Sequence, residues 1–482
     1  MSETIFAQSK PGRTGVLPSA PAKKAADMLP ANLLRAEKPA LPEVSELDVV
    51  RHFTRLSQKN YSVDTNFYPL GSCTMKYNPK FTETAVAQPG FARTHPLLAE
   101  IEGGEALASG CLEAIWQTEQ LLQEVTGMKA FTMQPMAGAQ GELTGILLIA
   151  AYHRAKGNKK TKVIVPDAAH GTNPATAALA GYEVVNIASK DGIVDPDALE
   201  AVLDDSVAAL MMTCPNTLGL FEEKLPVIVE KLRRVDALLY YDGANFNAIM
   251  GRMRTGDVGF DVVHLNLHKT MGTPHGGGGP GSGPVGVSEK LVPFLPGPRV
   301  VKNADGSFGL NHDLPQSIGK VTPFHGNFSV YLKALAYMVR LGKNGLARAT
   351  DYAVLNANYM RKRMRGYLEI PYDRTCMHEF VASAGNLEEY GVHALDIAKA
   401  LLDKGFHAPT IYFPLIVKEC LMFEPTETES KEMLDAFCDA IIEIAETAKT
   451  DPQKLHDAPV SLHVRRLDET KAARNMILTE ER

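Results

Sequence analysis

The sequence predicts an α/β fold: a largely parallel β-sheet covered by helices, followed by a smaller α+β domain. Three observations carry this. From about residue 130, short apolar runs alternate with helical runs, the pattern of strands joined by crossover helices. Beyond residue 343 helical runs dominate and the strands become short. At 482 residues, the chain also exceeds what one core of ordinary size holds, so two domains with terminal extensions are expected.

Along the chain, residues 1–40 are rich in Pro, Ala, Lys and Gly and read as an extended arm. Residues 43–60 and 95–127 are expected to be helical. In the second, Ile101, Leu107, Leu112, Ile115, Leu121, Leu122 and Val125 recur at near-helical spacing, and Gly127 is the stop. Between them NFYPLGSCTMKYNP, at 66–79, is dense in polar and turn-forming residues, as surface loops and site loops both are. Strands are expected at 130–133, 162–166, 183–187, 208–213, 238–241 and 262–266, with helices at 141–156, 173–180, 196–203 and 225–235. A helix at 328–342 follows the glycine-rich run, then helices at 345–366, 393–404 and 429–448 and short strands at 379–382 and 421–423. The tail after Asp451 is polar, with no evident core role. The division is an arm and loop segment at 1–95, a large domain at 96–330, a small domain at 331–450 and a tail at 451–482.

Composition narrows the function. A formal net charge of −6 gives no electrostatic footprint for nucleic acid and no polybasic patch for an anionic membrane. No run reaches the roughly 18 apolar residues of a membrane span. The N-terminus lacks the apolar core of a signal peptide, so the expected compartment is the cytoplasm. The six cysteines are scattered without a CxxC pair, which argues against a disulfide framework and a zinc ribbon, and no metal site is expected.

The chemistry concentrates at predicted strand ends, where open α/β sheets bind ligands. The apolar run VVHLNLHK ends at Lys269, and four successive glycines follow at 276–279. Glycines allow close approach to a planar ligand and unusual backbone angles. A Walker A loop is excluded because there the lysine follows the glycines, and a dinucleotide fingerprint because no amphipathic helix follows. Asp242 closes the apolar run LLYYD, where a carboxylate needs a cationic partner. An aspartate that keeps a pyridine nitrogen protonated and a lysine that forms an imine, on neighbouring strand ends, are the fixed points of pyridoxal-phosphate (PLP) chemistry. MAGAQGELT, at 136–144, opens a helix after a strand, with small residues where backbone N–H groups can meet a phosphate. His170, in PDAAHGTNP, sits at a strand-to-helix junction, where its ring could stack on a pyridine. Each alone is ordinary turn or cap chemistry; together they suggest one site.

These motifs, with NFYPLGSCTMKYNP at 66–79 and TPFHGNFSVY at 322–331, resemble the glycine decarboxylase P-protein family of the glycine cleavage system over most of residues 55–425. The resemblance implies the aspartate-aminotransferase-like, fold type I architecture of PLP enzymes. It implies Lys269, Asp242 and His170 as catalytic residues. Ala139 and Gln140, at the helix start, are implied phosphate contacts, with His268 and Thr322 also near the phosphate. Thr213 is implied near the ring hydroxyl, and Asn245 among the cofactor contacts. Asn66, Ser72 and Cys73 are implied along the channel for the substrate, and whether Cys73 is redox-sensitive stays open. Single-chain members are about twice as long; this chain resembles their C-terminal, lysine-bearing half. The implied partners are a separate lysine-free homologous subunit in an α2β2 assembly and the lipoylated H-protein, with glycine as substrate. Another PLP enzyme acting on a small amino acid, a non-catalytic scaffold subunit and a phosphate-binding module are the competing readings.

Overall fold

The computed structural model describes residues 3–17, 19–20, 23–37, 39–169, 171–277 and 281–477. Two units emerge, one of Met1–Thr65 with Val460–Arg482, the other Asn66–Pro459. In the first, the helix Glu46–Ser57 is set by a capping box in which Ser45 and Asp48 satisfy each other's backbone N–H. Arg13 adds an ion pair to Asp48 at 2.9 Å. The expected arm up to residue 40 contains only short turns of 3-10 helix among its described residues.

The second unit is built on a seven-stranded sheet: β1 (Ala130–Thr132), β2 (Lys162–Pro166), β3 (Glu183–Ile187), β4 (Val207–Thr213), β5 (Leu238–Gly243), β6 (Val262–Leu265) and β7 (Val285–Val287), in the order β1-β7-β6-β5-β4-β2-β3. Pairings from β3 through β6 are parallel; β7 runs antiparallel to both β6 and β1. The central strands β4, β5 and β6 are buried along their whole length because both faces are covered. Val163, Val165, Leu238, Tyr240 and Val262 pack on one side with Ile146 and Ile149. Their alternates Ile164, Leu239, Tyr241 and Val263 pack on the other with Leu112 and Leu122. The covering helices are α1 (Ser109–Thr126), α2 (Gly138–Ala155), α3 (Thr172–Leu179), α4 (Pro196–Val202) and α5 (Leu225–Arg234). Gly127, left-handed at φ 73°, stops α1 as expected.

Lys269 lies in the four-residue helix α6 (Leu267–Thr270), one step past β6. The helix α7 (Phe328–Met364) then runs 37 residues, with one non-helical residue, Gly342, at φ 60° and ψ −179°. The sheet β8 (Phe380–Ser383), β9 (Thr410–Ile411) and β10 (Cys420–Phe423) carries α8 (Ala394–Asp403), α9 (Lys431–Thr450) and α10 (Pro452–Asp457). Its own core joins Met360, Phe380, Phe423, Phe437 and Ile441.

Three expectations need correction, and one boundary holds. The predicted helix at 95–127 begins only at Ser109, because Pro96 and the left-handed Gly103 break the earlier stretch into short turns. The two helices expected at 328–342 and 345–366 are present as the two arms of α7, which meet at a kink at Gly342. Strand β7 was not expected; its three residues sit inside a Gly- and Pro-rich stretch with no readable period. The tail does contribute to a core, since Leu455 and Ala458 are buried beneath α9 and α8. No helix among the described residues is long and apolar enough to cross a membrane.

Candidate active site

Parallel register brings three polar side chains level at the carboxyl end of the sheet: Thr213 on β4 faces Asp242 on β5, which faces His264 on β6. The next residues, Asn266 to Lys269, turn into α6 over these ends. Asp242 is 1% exposed. Its Oδ1 accepts a hydrogen bond from Ala244 N at 3.0 Å and lies 3.5 Å from His264 Nε2. The far nitrogen of that ring, Nδ1, shares a 2.7 Å hydrogen bond with Tyr240 OH, which fixes the imidazole plane. A second carboxyl, Glu142 on α2, accepts from Thr172 Oγ1 at 2.9 Å. Burial first, and then the neighbouring Asp242 carboxylate, push the Glu142 pKa up to about 8.

Helix α2 starts beside this row. Its first intrahelical bond is Gly141 N to Ala137 O at 2.9 Å, so the N–H groups of Gly138, Ala139 and Gln140 have no i−4 partner and face outward at the positive end of the helix. Close packing here demands glycine. A Cβ on Gly138 would lie 2.5 Å from Asn266 Oδ1, and one on Gly283 would lie 2.1 Å from the Ala137 carbonyl. Ser282 N donates to His268 Nδ1 at 3.2 Å. Burial, His275 and Lys269 push the His268 pKa down to about 3, so the ring is neutral with its proton on Nε2. Near this start Gln140 engages both amide atoms: Oε1 accepts from Met136 N and Nε2 donates to Val321 O, each at 2.7 Å. Gln140 therefore offers its backbone N–H and not its side chain, and it ties the segment bearing Thr322 to the helix.

The loop 66–79 supplies the other wall. Lys269 Nζ donates to the Ser72 carbonyl at 2.7 Å, which brings Ser72 and Cys73 to the lysine. Burial pushes the Cys73 thiol pKa up despite the opposing effect of Lys269, so the group is a thiol at neutral pH. Asn66 is not part of this arrangement; its Nδ2 donates to Gly405 O at 2.9 Å. Asn245 is buried and holds the loop: Nδ2 donates to Glu379 Oε1 at 3.0 Å, and Oδ1 accepts from Ser72 Oγ at 3.3 Å. His170 lies outside the described residues.

The lining fits a phosphorylated pyridine. Thr213 Oγ1, Ser282 Oγ and Thr322 Oγ1 are buried and make no hydrogen bond among the described residues, a costly state unless a ligand completes it. Beside them stand a helix start with free donors, a buried carboxylate and an amine. Sequence reasoning missed Glu142, His275, His378, Glu379, Glu424 and the buried Lys76–Glu427 pair. The readable signal was the placement of Glu379 and Glu424, a charge flush against each end of an apolar strand (HEFVAS and CLMFEP).

A family model described as glycine cleavage system P-protein matches residues 23–310, and one described as glycine dehydrogenase, C-terminal domain, matches 349–462. The probable glycine dehydrogenase (decarboxylating) subunit 2 of Caldanaerobacter subterraneus subsp. tengcongensis is 55% identical over 480 residues, covering 98% of both chains. The protein of the same name from Kosmotoga olearia is 56% identical over 477 residues, again covering 98% of each. Among solved structures, a glycine decarboxylase (P-protein) of the glycine cleavage system in inhibitor-bound form superposes with a TM-score of 0.70 at 20% identity, covering 87% of this chain and 93% of that one. An aspartate aminotransferase from Thermus thermophilus gives 0.57 at 15%, covering 79% and 99%. These two likenesses speak for the fold.

Proposed function

The chain belongs to the glycine cleavage system P-protein family, and from that membership and the site at Lys269 we propose that it is the PLP-bearing subunit of a two-subunit glycine decarboxylase. The reaction is the oxidative decarboxylation of glycine, releasing CO2 and passing the aminomethyl group to the lipoyl group of H-protein. The carrying observation is the level row of Thr213, Asp242 and His264 beneath Lys269 and beside the start of α2.

When bound, PLP supplies an electron sink conjugated to the substrate Cα. The chain's residues then have separable tasks. Lys269 would hold the cofactor by its amine, in the place that the amine of glycine must take. Asp242 holds the proton at the pyridine nitrogen, and that cation is the partner its buried carboxylate requires. His264, oriented by Tyr240, holds Asp242 in place. Ala139 and Gln140 present N–H groups, and His268, Ser282 and Thr322 side-chain donors, to the phosphate. Thr213 would serve the ring hydroxyl, and the family resemblance gives His170 the role of ring partner. Asn245 acts through Ser72 and Glu379, and Asn66 belongs to the outer part of the loop. Raised thiol pKa keeps Cys73 from acting as an anion toward the lipoyl disulfide.

The name subunit 2, borne by the relatives, implies a subunit 1. We take it to be the lysine-free homologue, in an α2β2 assembly. The test is Lys269→Ala in the assembled protein. Loss of the lysine-linked visible absorbance, and of labelled bicarbonate exchange into glycine with lipoylated H-protein, is expected. Retention of both would overturn the reading. Exchange by the wild-type assembly separates this function from that of other PLP enzymes of the fold.

A further inference from the structure

The mechanism gives no chemical task to a pair of fully buried glutamates. Glu379 and Glu424 flank β8 and β10, are 0% exposed, and both point at the turn Ser72–Cys73–Thr74. That turn is strained: Ser72 has φ 61° and Thr74 φ 45°, a region that non-glycine residues rarely occupy. Its backbone groups are held individually. Ser72 N donates to Glu379 Oε2 at 2.6 Å, and Thr74 N donates to Glu424 Oε2 at 2.8 Å. Cys73 O lies 2.9 Å from His275 Nε2, and Thr74 O accepts from Lys76 N at 2.8 Å. The remaining carbonyl, Ser72 O, accepts from Lys269 Nζ at 2.7 Å. Two glutamates thus hold the peptide units on either side of the one that receives the lysine.

We propose that Glu379 and Glu424 are positioning residues that build a docking site for the Lys269 ammonium at the Ser72 carbonyl, occupied whenever that amine is released from the cofactor. The inference rests on Lys269 being the cofactor-bearing lysine. In the exchange, the carbon–nitrogen bond to Lys269 Nζ breaks as one to the glycine nitrogen forms. Two protons pass from the glycine ammonium to Nζ, so the chain gains an ammonium while total charge is unchanged. A buried ammonium needs counter-charge and an acceptor, and the turn offers both. His378, 3.7 Å from Glu424 Oε1 and 3.9 Å from Glu379 Oε1, adds no competing cation. Burial, with Lys269, pushes its pKa down to about 3. Burial raises both glutamates, with Glu424 adding to the shift of Glu379 and Glu427 to that of Glu424, which reaches about 7, so the pair has little charge beyond what one ammonium matches.

The experiment uses the full chain assembled with its partner subunit, as Glu379→Gln and Glu424→Gln, titrated with glycine and read by the change in cofactor absorbance as Lys269 is displaced. Cofactor content should match wild type, while the glycine concentration for half-displacement rises at least about ten-fold. Full cofactor content with half-displacement within about two-fold of wild type would overturn the docking site. If both variants fail to assemble, a wild-type crystal treated with methoxyamine, which frees Lys269 from the cofactor, decides. Nζ on the Ser72 carbonyl supports the proposal, and Nζ elsewhere overturns it. Lysine-linked absorbance surviving in Lys269→Ala would instead strike the assignment of Lys269, and the docking site would fall with it.

Discussion

Lys76→Met isolates a buried ion pair whose worth can be worked from its contacts. Lys76 is 2% exposed, and its Nζ donates to Glu427 Oε1 at 2.7 Å, Asn247 Oδ1 at 2.9 Å and Tyr337 OH at 3.2 Å. Methionine keeps most of the stem's packing and removes the charge. Glu427 is then left with Asn247 Nδ2 at 3.1 Å and a long contact to Tyr337 OH at 3.5 Å. Stranding one member of a buried pair costs about 3–5 kcal/mol. Adding Glu427→Leu removes the stranded charge but leaves Asn247 and Tyr337 each short of a partner, at about 1–3 kcal/mol apiece. The summed cost of about 2–6 kcal/mol matches the single variant's loss, so the double variant should be destabilised about as much as Lys76→Met and well short of the two singles added. Urea unfolding followed by the fluorescence of Trp116, the sole tryptophan, reads this directly, since its ring packs 5.7 Å from Phe308 within the same unit. A single-variant loss below about 1 kcal/mol, or a double variant as damaged as the two singles added, would refute the reasoning. Burial lowers the Lys76 pKa, but Glu427 and Tyr337 outweigh it and the net shift is upward. The pair's contribution is then complete below the ordinary lysine value of 10.5 and fades only as pH rises through the higher folded value, so the measurement is insensitive to pH near neutrality.

Asp242→Asn should retain the fold but lower glycine–bicarbonate exchange at least about a hundred-fold, because the amide cannot hold the ring proton; a loss under ten-fold, by the same assay, would argue for a lesser role. For Glu142 the folded pKa of about 8 lies above the ordinary 4.5, so its contribution is full below pH 4.5 and is lost as pH rises toward 8. In cofactor-free protein, Glu142→Gln should flatten the fall of melting temperature across that window, and an unchanged slope would refute the assignment. Gly219→Ala should destabilise by at least about 2 kcal/mol, since φ is +77° and the new Cβ would lie 1.9 Å from the Glu379 carbonyl; thermal melting is the check, and a neutral outcome would show that the strand can yield.

Much of the large domain was legible because a doubly covered parallel sheet writes itself as apolar runs between amphipathic ones; β2, β3 and their helices fall within a residue or two of expectation. Asp242 was legible for a related reason, a charge at the end of such a run. What stayed hidden depends on which donor meets which acceptor across long sequence separations. The resemblance implies Gln140 and Asn245 as cofactor contacts, yet their amides are engaged by Val321 O and by Glu379. The composition of the loop 66–79 fits a surface loop or a site loop alike, and nothing local indicates that glutamates more than 300 residues later would grip its turn. Strand β7 was hidden for the opposite reason: three residues are too few to show a period.

That short strand has a further consequence. Because His264 pairs with Val285, the chain leaves the sheet after β6 and re-enters it beside its own point of departure. The glycine-rich stretch between is a tethered ring whose closure is imposed by the sheet. Lengthening such a ring costs only about 0.6 kcal/mol per doubling. Its length is thus open to evolutionary change at small entropic cost, while the lysine at its root keeps its place. Access to the site can drift without moving the chemistry.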